Sequence, residues 1–286
     1  MLKQFIDMKA TTVKPPASEV KSGRLPYLPD TRTFHLKEYL SQETIIKIPR
    51  EHNWGTKIHP HKWSSFGNLR INNCTCAAAG HLLMTWTSNI GRLKKPTTKA
   101  IVEAYSDITG FNPKTDGIGE PVEAIKALKY WRKHGIDGRK IIAFAKLSFR
   151  NREQLKQAIY LYGGCYVGLN LPKSAEKQYN ASKKWTVPRS GTTGIGEPGS
   201  WLGHALLITG YSKNDLTAVT WGKEITLSLD FWETYVDESY AIFSEDFVRD
   251  NHTPTKINIE VLKKDIETLQ RKKSGNENLS EIRKVD

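Results

Sequence analysis

The chain has 286 residues, 38% of them hydrophobic and 8 of them Trp, enough to bury one substantial core without covalent staples. Lys and Arg number 43 against 30 Asp and Glu, a net charge of +13. That excess is spread along the chain and no zinc-finger or RNA-binding-sheet motif focuses it, so a solvated basic surface is expected and nucleic acid is not the expected partner.

Residues 1–62 are polar and dotted with proline (Pro15, Pro16, Pro26, Pro29, Pro49, Pro60), which reads as an arm packed over a domain, with one short helix near Thr33 to Leu40. The run CTCAAAGHLLMTWTS, from Cys74 to Ser88, is rich in Ala, Leu and Met, lacks proline and stops near Gly91, the pattern of a buried central helix. Thr97 or Thr98 caps a second helix through Tyr105, and Pro121 opens a third that ends at His134 before Gly135. Leu155, Ala158, Ile159 and Tyr162 recur at helical spacing and mark a fourth. Thereafter CYVGLNL, GHALLITGY, LTAVTW, EITLSL and YAIFS are short β-branched and aromatic runs, most of them separated by turn residues, and they predict an antiparallel sheet. Helices first and strands afterwards predict an α+β domain over residues 63–250. A charged tail over 251–286 follows, with Leu262, Ile266 and Leu269 on one helical face before a polar end that frays.

The cysteines, Cys74, Cys76 and Cys165, are odd in number and two stand one residue apart, unlike a secreted disulfide framework. The opening MLKQFIDMKATTVKPP has no apolar signal core, and no stretch reaches the roughly 18 apolar residues of a membrane span. A reduced, cytoplasmic protein with no membrane partner is the expectation.

A thiol at the head of a helix meets unpaired N–H groups and the positive end of the dipole, which favour the thiolate; Cys74 is so placed, whereas Cys76 faces elsewhere and reads as a small core residue. A nucleophile needs a base. His204 begins an apolar strand just after the glycine-rich loop SGTTGIGEPGSW, rigid yet reachable, and lies 130 residues after Cys74. No metal is expected, because C-x-C-x4-H through His81 lacks a second ligand pair and His59 and His61 lie in the arm. No cofactor is expected either, since TTGIGEPG does not complete a phosphate loop.

The interval between Cys74 and His204 falls within the roughly 130 to 150 residues that separate the two in papain-type enzymes. From Trp63 to Phe247 the chain resembles the papain-like cysteine proteases, with N-C-T-C-A in place of their C-G-[SA]-C-[WY], as in the divergent bacterial and phage-borne branch. The resemblance implies a two-lobed fold, helical half and sheet half, with a peptide or protein substrate in the cleft between. It places Asn68, six residues before Cys74, where the family has its oxyanion-hole glutamine. It aligns Val219-Thr220-Trp221-Gly222 with the family's Asn-Ser-Trp-Gly. Trp221 then shields the histidine at the cleft, but valine stands at the orienting position, leaving Thr220 or Asp237 as substitutes from a neighbouring place. Gly117 and Gly119 match, more loosely, the glycine pair against which a substrate backbone extends.

These readings converge on acyl transfer to water by Cys74 and His204. Two alternatives share the fold: a thiol amide hydrolase for cell-wall peptides or a conjugated modifier, and an inactive binding module suggested by Val219 and the basic charge. The arm, polar and placed ahead of the nucleophile, can also lie across the cleft as a restraint.

Overall fold

A helix that is apolar all round has no face to offer water, so neighbours must cover it on every side. That is the position of α1 (Cys74–Asn89), in which every residue from Cys74 to Ser88 is buried. The computed structural model describes residues 23–30, 33–38 and 47–282, side chains beyond 271 excepted. Small residues let the neighbours of α1 close in: at Gly80 the ring of Phe66 and the side chain of Ile101 press where a Cβ would stand. Side chains tie α1 at both ends, the Tyr166 hydroxyl donating to Thr75 O at 3.0 Å and Trp86 Nε1 to Tyr162 O at 2.7 Å.

Beside it lie α2 (Thr98–Thr109), capped by the Thr97 hydroxyl and ended at Gly110, and α3 (Ala124–Lys133), while α4 (Arg152–Tyr162), capped by Asn151, packs on the sheet. Helix α3 opens at Ala124, not at Pro121. The Val122 backbone is already engaged, its N–H bonded to Gly23 O at 2.8 Å and its carbonyl to Leu25 N at 3.2 Å, so it cannot also begin a helix.

The eight-stranded sheet runs in the order β1-β3-β8-β4-β5-β6-β7, with β2 pairing β5. Its strands are β1 (Phe34–His35), β2 (His52–Asn53), β3 (Ala143–Lys146), β4 (Cys165–Leu171), β5 (Leu202–Tyr211), β6 (Asp215–Thr220), β7 (Lys223–Ser228) and β8 (Val236–Phe243). All pairings between these strands are antiparallel except β1 with β3. The five β-rich runs of the sequence are β4 to β8. Strand β3 and the helices α5 (Lys173–Asn180) and α6 (Leu229–Tyr235) are additions that the sequence did not announce.

The expected short helix near Thr33 is instead β1 followed by one 3-10 turn, Leu36–Glu38, with Tyr39 and Leu40 outside the described residues. Residues 47–62, read from composition as arm, add β2 to the sheet and bury Trp54 and Ile58. The tail forms α7 (Ile259–Ile282), longer than one apolar turn set predicts, with Leu262 and Ile266 buried. No helix among the described residues is long and apolar enough to cross a membrane.

Trp86 of α1 is fully buried and stacked on Trp131 of α3 with ring centroids 5.6 Å apart. Trp86→Ala is expected to lower the unfolding free energy by about 3–5 kcal/mol in urea titrations. Val261→Ala, on an exposed face, should change it by less than about 0.5 kcal/mol.

Candidate active site

Cys74 is the first residue of α1, and the preceding Asn73 does not cap the helix: its Nδ2 donates backwards to Phe66 O at 2.8 Å. The N–H groups of the first turn are therefore not taken up by an Asn73 side-chain oxygen and are available to a negative sulfur. Cys74 Sγ accepts from Ala205 N at 3.4 Å, which sets the sulfur against the residue that follows His204 in β5. The structure thus brings the first turn of α1 and the start of β5 together.

His204 is held by two groups. Thr220 Oγ1 lies 2.6 Å from Nε2, and the Trp221 ring stacks on the imidazole with centroids 4.3 Å apart at 25°. The register explains why Thr220 and not Val219 meets His204. Leu207 pairs with Val219, so Leu206 stands opposite Thr220, and His204 and Thr220 are diagonal neighbours on one face of the sheet while Val219 points to the other. Trp221 and Gly222 then turn the chain, both at positive φ (49° and 74°), as a two-residue hairpin requires. Tyr179, Trp185 and Trp201 ring Trp221 and fix its plane over His204. His204 Nδ1 has no hydrogen-bond partner among the described residues.

The remaining sequence candidates are placed as follows. Asn68 is buried in the loop before α1, and its Nδ2 donates to Ile71 O at 3.2 Å. Gly117 and Gly119 have positive φ, but the extended pairing in the cleft is made by Val122; the bare Cα of Gly119 instead faces Tyr105 and Phe111, and its carbonyl accepts from Asn72 Nδ2 at 2.7 Å. Asp237 faces Arg24 and Asn170 Nδ2, not His204. Cys76 and Cys165 are buried core thiols, burial pushing Cys76 up to about 12. His81 bonds Ser64 O through Nε2 at 2.7 Å, and burial lowers it to about 4. Among the described residues no three His, Cys, Asp or Glu side chains converge as metal ligands.

The sequence raised the arm as a restraint across the cleft without saying which of its residues would reach Cys74. The arm segment Gly23-Arg24-Leu25 crosses the cleft, Gly23 N donating to Cys74 Sγ at 3.3 Å. Only glycine passes there, since a Cβ on Gly23 would lie 1.6 Å from Asn72 O; on the other side, a Cβ on Gly203 would lie 2.6 Å from Arg24 O. With the cover in place Cys74 and His204 are both buried from water. Burial raises the Cys74 thiol, against the pull of the Ala205 and Gly23 N–H groups and Arg24, and burial first, then the Arg24 charge, lowers His204 to about 3. Thiol and imidazole are both neutral in this arrangement.

No protein family model matches the chain, and no curated protein matches it. Solved structures do. Xylellain, a cysteine protease from Xylella fastidiosa, superposes with a TM-score of 0.57 at 14% identity, covering 84% of this chain and 100% of that one. The digestive procathepsin L2 proteinase from Tenebrio molitor larval midgut gives 0.54 at 10% identity, covering 80% of each chain. Procathepsin B S9 from Trypanosoma congolense gives 0.52 at 12%, covering 80% of this chain and 88% of that one.

If Gly23 threads the cover, Gly23→Ala should lift it. Alkylation of Cys74 in the full chain at pH 8, followed by mass spectrometry, is expected to rise about 10-fold or more, the factor that about 1.4 kcal/mol supplies, with Cys76 and Cys165 unchanged. The likeness to these structures, together with the α+β arrangement, identifies the fold as that of the papain-like cysteine proteases.

Proposed function

We propose that the chain is a cysteine peptidase, latent while residues 23–25 lie across Cys74. The observation that carries this reading is Cys74 at the uncapped head of α1 beside β5, where Thr220 and Trp221 fix the His204 imidazole. With the arm displaced, water and substrate reach the pair and the proton passes from Sγ to the imidazole. Thiolate attack on an amide carbonyl forms a tetrahedral intermediate, whose oxyanion the Cys74 N–H and the second amide hydrogen of Asn68 are positioned by sequence to meet. Collapse breaks the C–N bond, His204 protonates the leaving amine, and a thioester remains. Water, giving its proton to His204, then releases the acid and restores Sγ–H.

Thr220 takes the orienting part that the family gives to asparagine, and Trp221 keeps water from that contact. The Asn73-Cys74-Thr75 run supports a place in the bacterial and phage-borne branch, and three buried free thiols fit a reducing, cytoplasmic setting. The neutral, covered pair also supports a second reading, a papain-like module that binds peptides without cutting them.

Peptide hydrolysis by the Gly23→Ala chain separates the two. Cys74→Ala in that background should abolish turnover, and His204→Ala should lower kcat by about 10²–10⁴. Thr220→Val should lower kcat less than His204→Ala while leaving KM within about 2-fold, as expected of an orienting group. Slow, equal alkylation of all three cysteines with no turnover would remove the peptidase reading and leave the binding module.

A further inference from the structure

Arg24 is the arm's side chain in the cleft, and its guanidinium is fully buried. A buried charge persists only where its donors and its field are met. Here Nη1 donates to Glu238 Oε1 at 2.8 Å and to Leu25 O at 2.9 Å, while Nη2 donates to Asp237 Oδ2 at 2.8 Å and to Asn170 Oδ1 at 3.1 Å. Burial works against this charge, and the two carboxylates outweigh it, holding Arg24 above its usual value.

The receptor belongs to the body of the protein. Asp237 and Glu238 are on β8 and Asn170 on β4, and each carboxylate has a further anchor: Tyr240 OH donates to Glu238 Oε2 at 2.8 Å and Asn170 Nδ2 to Asp237 Oδ2 at 3.1 Å. The missing side chain of Gly168 makes the space, since a Cβ there would lie 2.9 Å from Glu238 Oε1 and 3.1 Å from Arg24 Cδ. The neighbouring residue Gly23 touches Cys74 Sγ, so the pocket lies one residue from the reactive sulfur.

Holding down an arm does not require two carboxylates, because the backbone pairing at Val122 serves any sequence. When the arm leaves, Asp237 and Glu238 stay, and a neutral side chain entering the pocket would strip them of water without replacing the cation. We propose that this pocket is the specificity subsite of the enzyme and that it selects substrates with an arginine beside the scissile bond, Arg24 being its internal occupant. Arginine is preferred to lysine because the planar fork spans Asp237, Glu238 and Asn170 at once. The assignment rests on the reading of Cys74 as the nucleophile.

The experiment uses the full chain carrying Gly23→Ala, which lifts the arm from Cys74, together with Arg24→Ala, which empties the pocket, and Gly23→Ala with Arg24→Gln should that pair fail to fold. The probes are acetyl-Gly-Arg-Leu-amide and its citrulline counterpart, a neutral isostere, read as protection of Cys74 from iodoacetamide. Alongside, peptides scanning arginine across the two positions on either side of the scissile bond report hydrolysis. The arginine peptide should protect at concentrations about 10-fold or more below the citrulline peptide, and Glu238→Gln with Asp237→Asn should erase the difference. Equal protection by the two peptides, or none by either, overturns the subsite. Turnover without any preference for arginine removes the subsite and keeps the peptidase, whereas arginine-selective protection without turnover keeps the pocket and removes the peptidase.

Discussion

Everything in this fold is arranged about a helix that water cannot touch. Because α1 has no polar face from Cys74 to Ser88, it needs helices on one side and a sheet on the other, and the two halves of the chain supply them. Its axis then fixes where chemistry can occur. A helix buried along its length still carries unpaired N–H groups at its head, and the sequence puts a thiol there. β5, packed against α1, brings His204 and Ala205 to the same spot. The cleft is thus a by-product of packing, located where the central helix begins and the sheet has a strand end to offer.

The same burial that builds the site also quiets it. A thiolate beside an imidazolium needs water or dipoles around both charges, and with Gly23 on the sulfur the local dielectric favours the neutral forms. Among the described residues the cation close to the pair is Arg24, and its effect is divided: it favours an ionised Cys74 and opposes an ionised His204. Its own charge is answered by Asp237 and Glu238, so an ion cluster lies next to the uncharged Cys74 and His204. The arm acts on Cys74 and His204 through charge as well as through contact.

Much of this was legible in the residues. Composition and spacing marked α1 over its length, and β-branched and aromatic runs between turn residues marked β4 to β8, because both signals come from burial, which sequence records directly. The likeness to papain-like structures agrees with the α+β fold read from them. Short elements were not legible: β3 has four residues and α5 eight, too few for periodicity to rise above chance. Thr220 was within reach, since alternation along VTW sets Thr220 and Val219 on opposite faces, but choosing between them needed the β5–β6 register. Arg24 carried no local signal at all. Its partners are more than 140 positions away, and a lone arginine in SGRLPYLPD reads as solvated surface.

At the far edge of the sheet, the way the arm is anchored bears on how it can be lost. Downstream of the cleft the arm is pinned by Lys146 over the Tyr27 ring and by the Asp30–Lys129 ion pair, and then becomes β1, hydrogen-bonded to β3. β1 is what keeps β3 from being an open border strand. A cut ahead of Phe34 would free the cleft and leave that border dressed, whereas trimming past His35 would bare the backbone donors and acceptors of Ala143–Lys146 and invite pairing between molecules. The stretch that covers the sulfur and the stretch that seals the sheet thus lie close together in the chain, the first at Gly23 and the second at Phe34–His35.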